Sequence, residues 1–535
     1  MPIRVPPNPL VYEINTRVWL RELSAQHHQP MQLDTIPEAE LERLAGLGVD
    51  AVWLMGVWST GAIARDIALR HPDLQQEYRT ALPDYSPADC AGSPYAVTNY
   101  IVSPQLGGPA ALAGLRERLS RKNIGVILDF VCNHTACDHP LVLENPGVFV
   151  QGTEQDLCTS PNEFFRAPNG AIVAHGRDPY FPPWTDTAQI NYAQPAGREA
   201  MLQKLLLIAG QCDGVRCDMA MLILPYILMQ TWGARLGLNP IEKSFWREAI
   251  ASVLARHPQF LFIAEAYWDK EAELQREGFH FTYDKTLYDR LLHNDFNGVR
   301  QHLRADLNFQ KRCARYIENH DESRAAQAFG PARSIAAAAA SYFTPGLKLV
   351  HDGQIEGRRI KVPVQLTRRV VEPENPEIDS ATRHLLALLN DPLLQHGVYS
   401  QIDVVPAGYG DRSNEASVAL LWMPANSESK TSDTPPSTNH PAPNDAAGSV
   451  TASGFHCPGR SRKAGILVVV NLSGSRVYGR IPLPPQLCAQ DKQYVFDDRF
   501  TGKRYDRDGA ELRYPGLYIA LEAYQPHLFE ICEKT

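Results

Sequence analysis

Four short blocks of the sequence combine carboxylates with arginine or histidine, and each follows an apolar run with the pattern of a β-strand. Polar side chains at such positions suit a cleft at the carboxyl ends of parallel strands better than a hydrophobic core. Together they suit the cleavage of glycosidic bonds. The blocks are Asp129-Phe130-Val131-Cys132-Asn133-His134, Gly214-Val215-Arg216-Cys217-Asp218, Ile263-Ala264-Glu265-Ala266 and Glu318-Asn319-His320-Asp321.

The spacing of Arg216 and Asp218 has a chemical meaning. Carboxyl groups that share one site can act as a nucleophile when ionised and as a proton donor when protonated. The environments of the two groups must therefore separate their pKa values. Arg216 and Asp218 are two residues apart in a strand, so they project to the same side, where the guanidinium favours the ionised carboxylate. A buried ion pair with Asp129 is the alternative role for Arg216.

The elements that position these blocks alternate along the first 395 residues, where strands and helical patterns indicate parallel βα units. Helical periodicity covers Pro109 to Lys122, Gly197 to Gly210, Ser244 to Arg256 and Arg333 to Tyr342. Eight strands are predicted, at Leu10 to Ile14, Ala51 to Met55, Gly125 to Phe130, Gly214 to Cys217, Phe260 to Glu265, His280 to Tyr283, Arg315 to Ile317 and Leu347 to Val350.

The connection from Thr135 to Pro195 is too long for an ordinary loop and indicates a small subdomain beside the cleft. Its aromatic residues either stack on sugar rings or form the core of the subdomain itself. They are Phe164, Phe165, Tyr180, Phe181 and Trp184.

The last part of the chain has the pattern of antiparallel strands at Ala416 to Trp422, Gly465 to Leu472 and Leu517 to Leu521, which indicates a C-terminal β-sandwich. Residues 424–463 are rich in Ser, Thr, Pro, Asn and Gly, so we expect a disordered loop there. The predicted domains are residues 1–134 and 196–395 for the first and second parts of the barrel, 135–195 for the inserted subdomain and 396–535 for the β domain.

Composition excludes several classes of protein. Of the 535 residues, 44% are hydrophobic and 21% charged, which is typical of a globular enzyme. A formal net charge of −8 favours neither nucleic acid nor a membrane surface as partner. The N-terminal residues lack the apolar stretch of a secretory signal, so we expect a cytoplasmic protein. The ten cysteines are scattered, and we expect packing thiols, Cys532 among them, rather than a disulfide framework or a zinc site.

The four ordered blocks resemble those of the α-amylase superfamily of glycoside hydrolases (glycoside hydrolase family 13-like). Two weaker blocks, Tyr95 to Tyr100 and Asp186 to Asn191, resemble the family as well. The resemblance implies an α/β fold, a (β/α)8 TIM barrel with an inserted subdomain after strand 3 and a C-terminal antiparallel β-sandwich domain.

The resemblance also implies roles for individual residues. Asp218 corresponds to the nucleophile, Glu265 to the general acid/base and Asp321 to the group that stabilises the transition state. His134 and His320 are expected to bind hydroxyls of the sugar at the cleavage point. Tyr95 is expected to provide a stacking floor, and Arg216 to keep Asp218 ionised.

The sequence departs from the family at two places. Met221 and Leu222 replace a Lys-His pair that many relatives use for the next sugar and a calcium ion, and Ser93-Pro94 precedes Tyr95 where the family has a histidine. Asn133 matches a frequent calcium ligand, so a bound calcium ion stays open as an alternative, against which the missing histidine argues. We therefore predict no metal-ligating residue and no required cofactor.

The predicted function is cleavage of α-glucosidic bonds in an α-glucan or oligosaccharide by a retaining double displacement. Two alternatives remain. An intracellular α-glucanotransferase or maltosyltransferase would use the same residues with a sugar or phosphate acceptor, and a barrel that binds glucan without catalysis would use none of them as acids. No nucleic-acid or membrane partner is expected.

Overall fold

The computed structural model describes residues 5–236, 243–425 and 463–534. The chain forms two compact units. The first comprises Met1–Asp295 with Ala305–Leu388, and the second comprises Phe296–Arg304 with Leu389–Thr535.

The first unit is built on a closed barrel of eight parallel strands that follow one another in sequence order around the ring. Strands β1 and β8 pair through Leu10 and Lys348, which closes the barrel and confirms the predicted fold. The strands are β1 (Leu10–Asn15), β2 (Ala51–Met55), β3 (Gly125–Val131), β4 (Gly214–Asp218), β5 (Leu261–Ala264), β6 (Phe281–Tyr283), β7 (Cys313–Arg315) and β8 (Leu347–His351).

Strand β7 begins two residues before its predicted start. Arg315 ends this strand instead of opening it, because its buried guanidinium is paired with Asp284, the residue that follows β6. Arg315 is a charged residue inside the barrel, so it interrupts the apolar pattern of β7. The pattern therefore does not locate the end of this strand.

Helices surround the strands of the first unit, as expected for βα units. They are α1 (Thr16–His27), α2 (Glu38–Gly46), α3 (Ala62–Arg70), α4 (Pro72–Ala81), α5 (Gly108–Ser120), α6 (Pro140–Glu144), α7 (Glu154–Thr159), α8 (Pro195–Ala209), α9 (Pro225–Leu236), α10 (Phe245–Leu254), α11 (Glu271–Glu277), α12 (Lys285–Leu292), α14 (Leu307–Gln310), α15 (Ala325–Ala328), α16 (Pro331–Tyr342) and α17 (Pro376–Leu389, whose last residue is assigned to the second unit). Helix α13 (Phe296–Leu303) belongs to the second unit. Single 3-10 turns occur at Leu33–Thr35, Pro87–Asp89, Pro104–Leu106, Pro146–Val148, Ala220–Ile223 and Ser413–Ala416.

The long connection after β3 folds as a small set of two-stranded ladders. His134–Ala136 pairs antiparallel with Thr187–Gln189, and Phe164–Arg166 pairs with Ile172–Ala174. A further ladder joins Trp58–Thr60 to Val97–Val102 in the connection after β2. The first of these ladders extends the end of β3 directly into the connection, so the polar residues after β3 are held in a fixed place.

The second unit contains two antiparallel sheets, which confirms the predicted β domain. The larger sheet has the order β9-β10-β11-β16-β13-β14, and the smaller pairs β12 with β15. Apolar residues from both sheets, such as Leu467, Phe496 and Ile519, form one buried core. The elements are α18 (Pro392–His396), β9 (Val398–Ile402), β10 (Ser417–Met423), β11 (Lys463–Asn471), β12 (Val477–Ile481), β13 (Gln493–Asp498), β14 (Arg504–Asp508), α19 (Gly509–Glu511), β15 (Leu517–Leu521) and β16 (Pro526–Glu533).

The predicted loop of residues 424–463 lies outside the described residues from 426 to 462, and Lys463 is the first residue of β11. Cys532 is disulfide-bonded, so the prediction of a packing thiol was wrong for this residue. Seven of the eight thiols recorded as free are buried, as expected for packing residues. Within the described ranges, no helix has the length and apolar character needed to cross a membrane.

Candidate active site

Arg216 lies at the centre of the carboxyl end of the barrel and is almost completely buried, with 1% of its side chain exposed. Its Nη1 atom lies 2.8 Å from Oδ1 of Asp218 and 3.3 Å from Oδ1 of Asp129. Its Nη2 atom lies 2.8 Å from Oε2 of Glu265 and 3.9 Å from Oδ2 of Asp321. One planar cation therefore contacts or faces carboxylates that come from four different strands.

Glu265 follows β5 and is buried, with both carboxyl oxygens in hydrogen bonds. The Met219 backbone N–H donates to Oε2 at 2.5 Å, and the Tyr267 hydroxyl donates to Oε1 at 2.9 Å. Burial raises the pKa of Glu265; Arg216 opposes this effect, and the charges of Asp218 and Asp321 add to it, so the pKa is about 7. Glu265 is therefore suited to carry a proton at the pH where ordinary carboxyls have lost theirs.

Asp321 has the opposite electrostatic setting. Its partial shielding from water would raise its pKa, but the adjacent His320 and the Arg216 cation hold the pKa well below its usual range. Its side chain is 42% exposed, so an ionised carboxylate is open to a bound molecule. The two acids contacted by Arg216 Nη2 thus differ in protonation near neutral pH.

His320 connects three groups. Its Nδ1 atom lies 2.6 Å from Oε1 of Glu13, and its Nε2 atom lies 3.0 Å from Oδ2 of Asp321 and 2.7 Å from Oη of Tyr95. Burial lowers the pKa of His320, but Asp321 and Glu13 on either side raise it to about 10. The Tyr95 ring stacks on the His320 ring at 5.6 Å between centroids and lies over the Arg216 guanidinium at 5.4 Å.

His134 lies on the insert side of the site. It is buried, and its ring contacts Trp184 with 5.2 Å between centroids. Burial lowers its pKa, and the negative charge of Asp218 opposes this shift only in part. A neutral imidazole near Asp218 can donate one hydrogen bond from one ring nitrogen and accept one at the other, without adding a charge.

Asn133 does not fit a calcium ion. Its side-chain oxygen accepts a hydrogen bond from Nε2 of Gln189 at 3.0 Å, and its nitrogen donates to Oε1 of Gln189 at 3.2 Å. Calcium requires six to eight oxygen ligands, whereas this oxygen faces an amide N–H. Across the described ranges, no group of three or more His, Cys, Asp or Glu side chains could hold a metal ion. The reciprocal amide pair joins the end of β3 to the insert instead.

The backbone after Asp218 is in an uncommon conformation. Met219 has a φ of 42°, in the left-handed region that non-glycine residues rarely adopt. This turn directs the Met219 N–H at Glu265, and the Cys132 thiol donates to the Asp218 carbonyl oxygen at 3.0 Å. Strain of this kind is typical of functional sites, because the surrounding structure must hold it in place.

The structure thus brings together six of the seven predicted site residues through direct contacts, and the charge of Asp218 also acts on the seventh, His134. The six are Tyr95, Arg216, Asp218, Glu265, His320 and Asp321. Met221 and Leu222, at the places of the missing Lys-His pair, are buried in a 3-10 turn.

The aromatic residues of the insert separate into two groups. Phe164 is buried, and Phe165 stacks on His175, so these two belong to the insert's own packing. Tyr180 and Phe181 are 62% and 66% exposed, and Tyr180 meets the ring of Trp268 edge to face at 4.9 Å. Trp268 is three residues after Glu265, so exposed aromatic surface lies beside the strand end that carries this acid.

Two residues of the cluster were not predicted. Glu13 is a charged residue inside the otherwise apolar β1, and it is fully buried against His320. Tyr267 stands two residues after Glu265, a spacing that places both side chains on one side of an extended chain. Two features of the sequence could have indicated these residues. Glu13 is a charged residue within a largely apolar strand, and Tyr267 carries a hydroxyl two residues after an acid.

Comparison with known proteins finds no matching family model. Two curated relatives are similar in sequence. One is the α-amylase MalA of Haloarcula japonica, 25% identical over 363 residues, which cover 65% of this chain and 44% of that protein. The other is α-amylase 3 of Dictyoglomus thermophilum, 23% identical over 299 residues, which cover 51% of this chain and 56% of that protein. The chain thus spans about half the length of the curated relatives it matches.

Solved structures of the same fold match along nearly the whole chain. An α-amylase from Lactobacillus plantarum has a TM-score of 0.62 at 18% identity, with 98% of each chain covered. A noncanonic maltogenic α-amylase, AmyB, from Thermotoga neapolitana has a TM-score of 0.64 at 19% identity, with 99% of each chain covered. The resemblance to the α-amylase superfamily that the sequence motifs indicate is confirmed by these similarities in sequence and fold.

Proposed function

We propose that this protein is an α-glucan-active glycoside hydrolase that cleaves α-glucosidic bonds with retention, by double displacement. Asp218 attacks the anomeric carbon while Glu265 gives its proton to the departing glycosidic oxygen, which forms a covalent glycosyl-Asp218 intermediate. Glu265, now ionised, then takes a proton from water, and the water oxygen displaces Asp218 from the anomeric carbon. The reaction uses no cofactor, and the predicted cytoplasmic location is part of the proposal.

The observation that carries the proposal is the position of Arg216 between the two reacting acids. Its Nη1 atom contacts Asp218 at 2.8 Å and its Nη2 atom contacts Glu265 at 2.8 Å. The guanidinium therefore pairs with the carboxylate of the nucleophile, while burial and nearby negative charge raise the pKa of Glu265 to about 7 despite its own contact with Arg216. Two carboxyls with separated roles in one buried site are what the displacement needs.

Asp321 and His320 complete the site. The ionised Asp321 offers its exposed carboxylate to the positive charge that develops on the sugar ring in the transition state. Tyr95, next to His320, supplies the ring on which the sugar rests, and His134 lies on the opposite, insert side.

Two surfaces support a glucan as the substrate class. Tyr180 and Phe181 provide exposed aromatic rings beside the partly exposed Trp268, and such rings pack well against the apolar faces of sugars. A cavity of about 940 Å³ adjoins Asp321, since the Lys361 ammonium that helps to line it donates to the Asp321 carbonyl oxygen. Its lining includes Ser323, Gln327, Arg359 and Asn375, whose polar groups suit sugar hydroxyls. The two curated relatives are named α-amylases, and one neighbour of the same fold was solved with acarbose.

The proposal is tested by chromatography of the products formed from maltoheptaose, with and without inorganic phosphate. The wild-type chain is compared with Asp218→Asn and with Asp213→Asn. Asp213 directly precedes β4 at the other end of the strand, where it pairs with Arg116 at 2.7 Å, so its variant controls for damage to the strand. We expect shorter sugars with the wild-type chain and Asp213→Asn, and a loss of at least about 10³-fold in rate with Asp218→Asn.

Other products would change the assignment in defined ways. Longer chains or a sugar phosphate would identify a transferase that uses the same acids. Turnover by neither the wild-type chain nor Asp218→Asn, together with unchanged glucan affinity, would identify a binding protein. Equal activity of Asp218→Asn and wild type would exclude Asp218 as the nucleophile.

A further inference from the structure

Glu13 is a buried carboxylate whose position has no explanation in the packing of the barrel. It lies in the middle of β1, has no exposed surface, and points to the inside of the barrel beneath His320. Its Oε1 atom accepts hydrogen bonds from His320 Nδ1 at 2.6 Å and from the His320 backbone N–H at 3.3 Å. Its Oε2 atom has no hydrogen-bond partner among the described residues. Burying such a group is costly unless a cation faces it.

The charges around His320 show which cation this is. Glu13 from β1 and Asp321 from the same loop as His320 contact the two ring nitrogens of His320, and the Tyr95 hydroxyl lies 2.7 Å from Nε2. Asp129 on β3 faces His320 at longer range, and the Trp53 ring from β2 covers its edge at 5.4 Å. A neutral imidazole would leave the buried Glu13 carboxylate without a contacting cation, whereas an imidazolium pairs with Glu13 and with the more exposed Asp321.

A second histidine acts on Glu13 from β8. His351 lies close enough to hold the pKa of Glu13 below its usual range together with His320, although burial alone would raise it. Nδ1 of His351 is 3.2 Å from Oε1 of Glu318, which also pairs with Arg324 at 2.7 Å. Glu13 is therefore kept ionised from two sides and is available as a fixed negative charge.

We infer that Glu13 is a positioning residue for the proposed reaction, which keeps a proton on both ring nitrogens of His320 and thereby fixes Asp321 and Tyr95. Nδ1–H donates to Glu13, and Nε2–H is left to donate to Asp321 and Tyr95. Asp321 stays ionised because this imidazolium pairs with it, and Tyr95 is held as the floor of the sugar site. The inference rests on the proposed function only for its catalytic consequence.

The protonation of His320 can be measured without any substrate. The full chain is labelled with ring-15N histidine, and the 15N signals of His320 are recorded from pH 5 to pH 10 in the wild type and in Glu13→Gln, with His320→Gln for assignment. We expect imidazolium signals up to at least about pH 9 in the wild type, and a titration at least about two units lower in Glu13→Gln. Unchanged titration in Glu13→Gln, or a neutral His320 in the wild type, would overturn the inference.

The catalytic consequence is measured with α-maltosyl fluoride. Fluoride leaves with little help from an acid, so kcat/KM for this substrate depends little on whether Glu265 is protonated. Its pH dependence can therefore report the protonation of His320. We expect kcat/KM of Glu13→Gln to fall about 100-fold at pH 8 and much less at pH 5, where His320 is protonated without Glu13. Glu13→Asp, which retains the charge, is expected to recover part of the loss at pH 8.

The controls separate this role from a structural one. Tyr12→Phe alters the neighbouring residue of β1, whose hydroxyl bonds Asp352 at 3.1 Å, and is expected to leave the pH dependence unchanged. An equal loss at pH 5 and pH 8 in Glu13→Gln would show that Glu13 only supports the fold and would overturn the positioning role. If the wild-type chain released no fluoride, the proposed function would fail, while the histidine signals would still decide whether Glu13 keeps His320 protonated.

Discussion

The guanidinium of Arg216 lies 2.8 Å from the carboxyl of Glu265, and yet Glu265 has a raised pKa. The ion pair is outweighed because Glu265 is buried and because Asp218 and Asp321 add negative charge around it. Arg216 therefore does not ionise every acid that it touches, and its effect depends on what else surrounds each carboxyl.

The first prediction concerns the pH dependence of catalysis. Glu265 must be protonated to assist the leaving group, so kcat/KM for an aryl maltooligosaccharide should decrease as the pH rises through about 7. Asp321 has a lowered pKa and stays ionised throughout this range. The measurement is kcat/KM from pH 4 to pH 9. An alkaline limb that is absent, or that persists unchanged in Glu265→Gln, would show that Glu265 is not the acid.

The second prediction concerns Tyr267. Its hydroxyl donates to Oε1 of Glu265 at 2.9 Å, and such a bond favours the ionised carboxylate. Tyr267→Phe should raise the pKa of Glu265 further and move the alkaline limb upward by about one pH unit. Tyr226→Phe, which removes a hydroxyl bonded to the surface residue Glu273, is the control and should not move the limb. A downward shift in Tyr267→Phe would contradict the assigned donor.

The third prediction concerns stability. With a folded pKa near 7 and an unfolded value near about 4.3, Glu265 binds more protons in the folded state between these pH values, so the wild type loses stability as the pH rises through them. Glu265→Gln lacks this loss. Its free energy of unfolding relative to the wild type should rise by roughly 2 to 3 kcal/mol from pH 5 to pH 8 in urea titrations.

A matched control for this measurement is Glu117→Gln, at an exposed position of α5 where the carboxylate pairs with Arg121. Its stability relative to the wild type should be nearly independent of pH. If Glu265→Gln were equally independent of pH, the buried, protonated state of Glu265 would be wrong.

The fourth prediction concerns Lys348, which β8 buries near Arg315 with only 3% of the residue exposed. Burial and then the Arg315 charge lower its pKa well below the usual value, and Asp50 opposes this only in part. At neutral pH the folded state therefore binds fewer protons at Lys348 than the unfolded chain does. This difference lowers the free energy of unfolding at pH 7 relative to its value at higher pH. Lys348→Met should stabilise the fold by about 1 to 3 kcal/mol at pH 7 and by less at pH 9.5.

This gain is measured by urea titration at both pH values. Lys311→Met, at an exposed position, controls for the general effect of replacing a lysine by methionine. A loss of stability in Lys348→Met would show that the hydrogen bond from its ammonium to the Gly346 carbonyl, at 2.6 Å, outweighs the cost of burial.

The barrel was predictable because buried parallel strands are short, continuous apolar runs whose polar ends stand out. Both ends of strand β2 were predicted correctly, and β4 extends one residue beyond its predicted end, to include Asp218. Glu13 was missed because its partner is 307 positions away, and nothing local to β1 shows that His320 lies above it. The pairing is a property of the closed barrel.

The aromatic residues of the insert show a second limit. Phe164 and Phe181 are the same residue type in the same segment, but one is buried and the other is 66% exposed. The difference arises from the turn after Asp178, whose carboxylate accepts the backbone N–H groups of Tyr180 and Phe181 at 2.6 and 2.8 Å. Composition could not distinguish these positions, because exposure is decided by that turn.

The most direct test of the proposed chemistry is to trap the covalent intermediate. Glu265→Gln, which cannot activate water, is incubated with α-maltosyl fluoride, and intact-protein mass spectrometry followed by peptide mapping locates the added mass. We expect one maltosyl group per chain, on the peptide that contains Asp218, and none in a variant that also carries Asp218→Asn. A maltosyl group on another residue, or free maltose of the β-anomer with no labelled protein, would contradict a retaining displacement by Asp218.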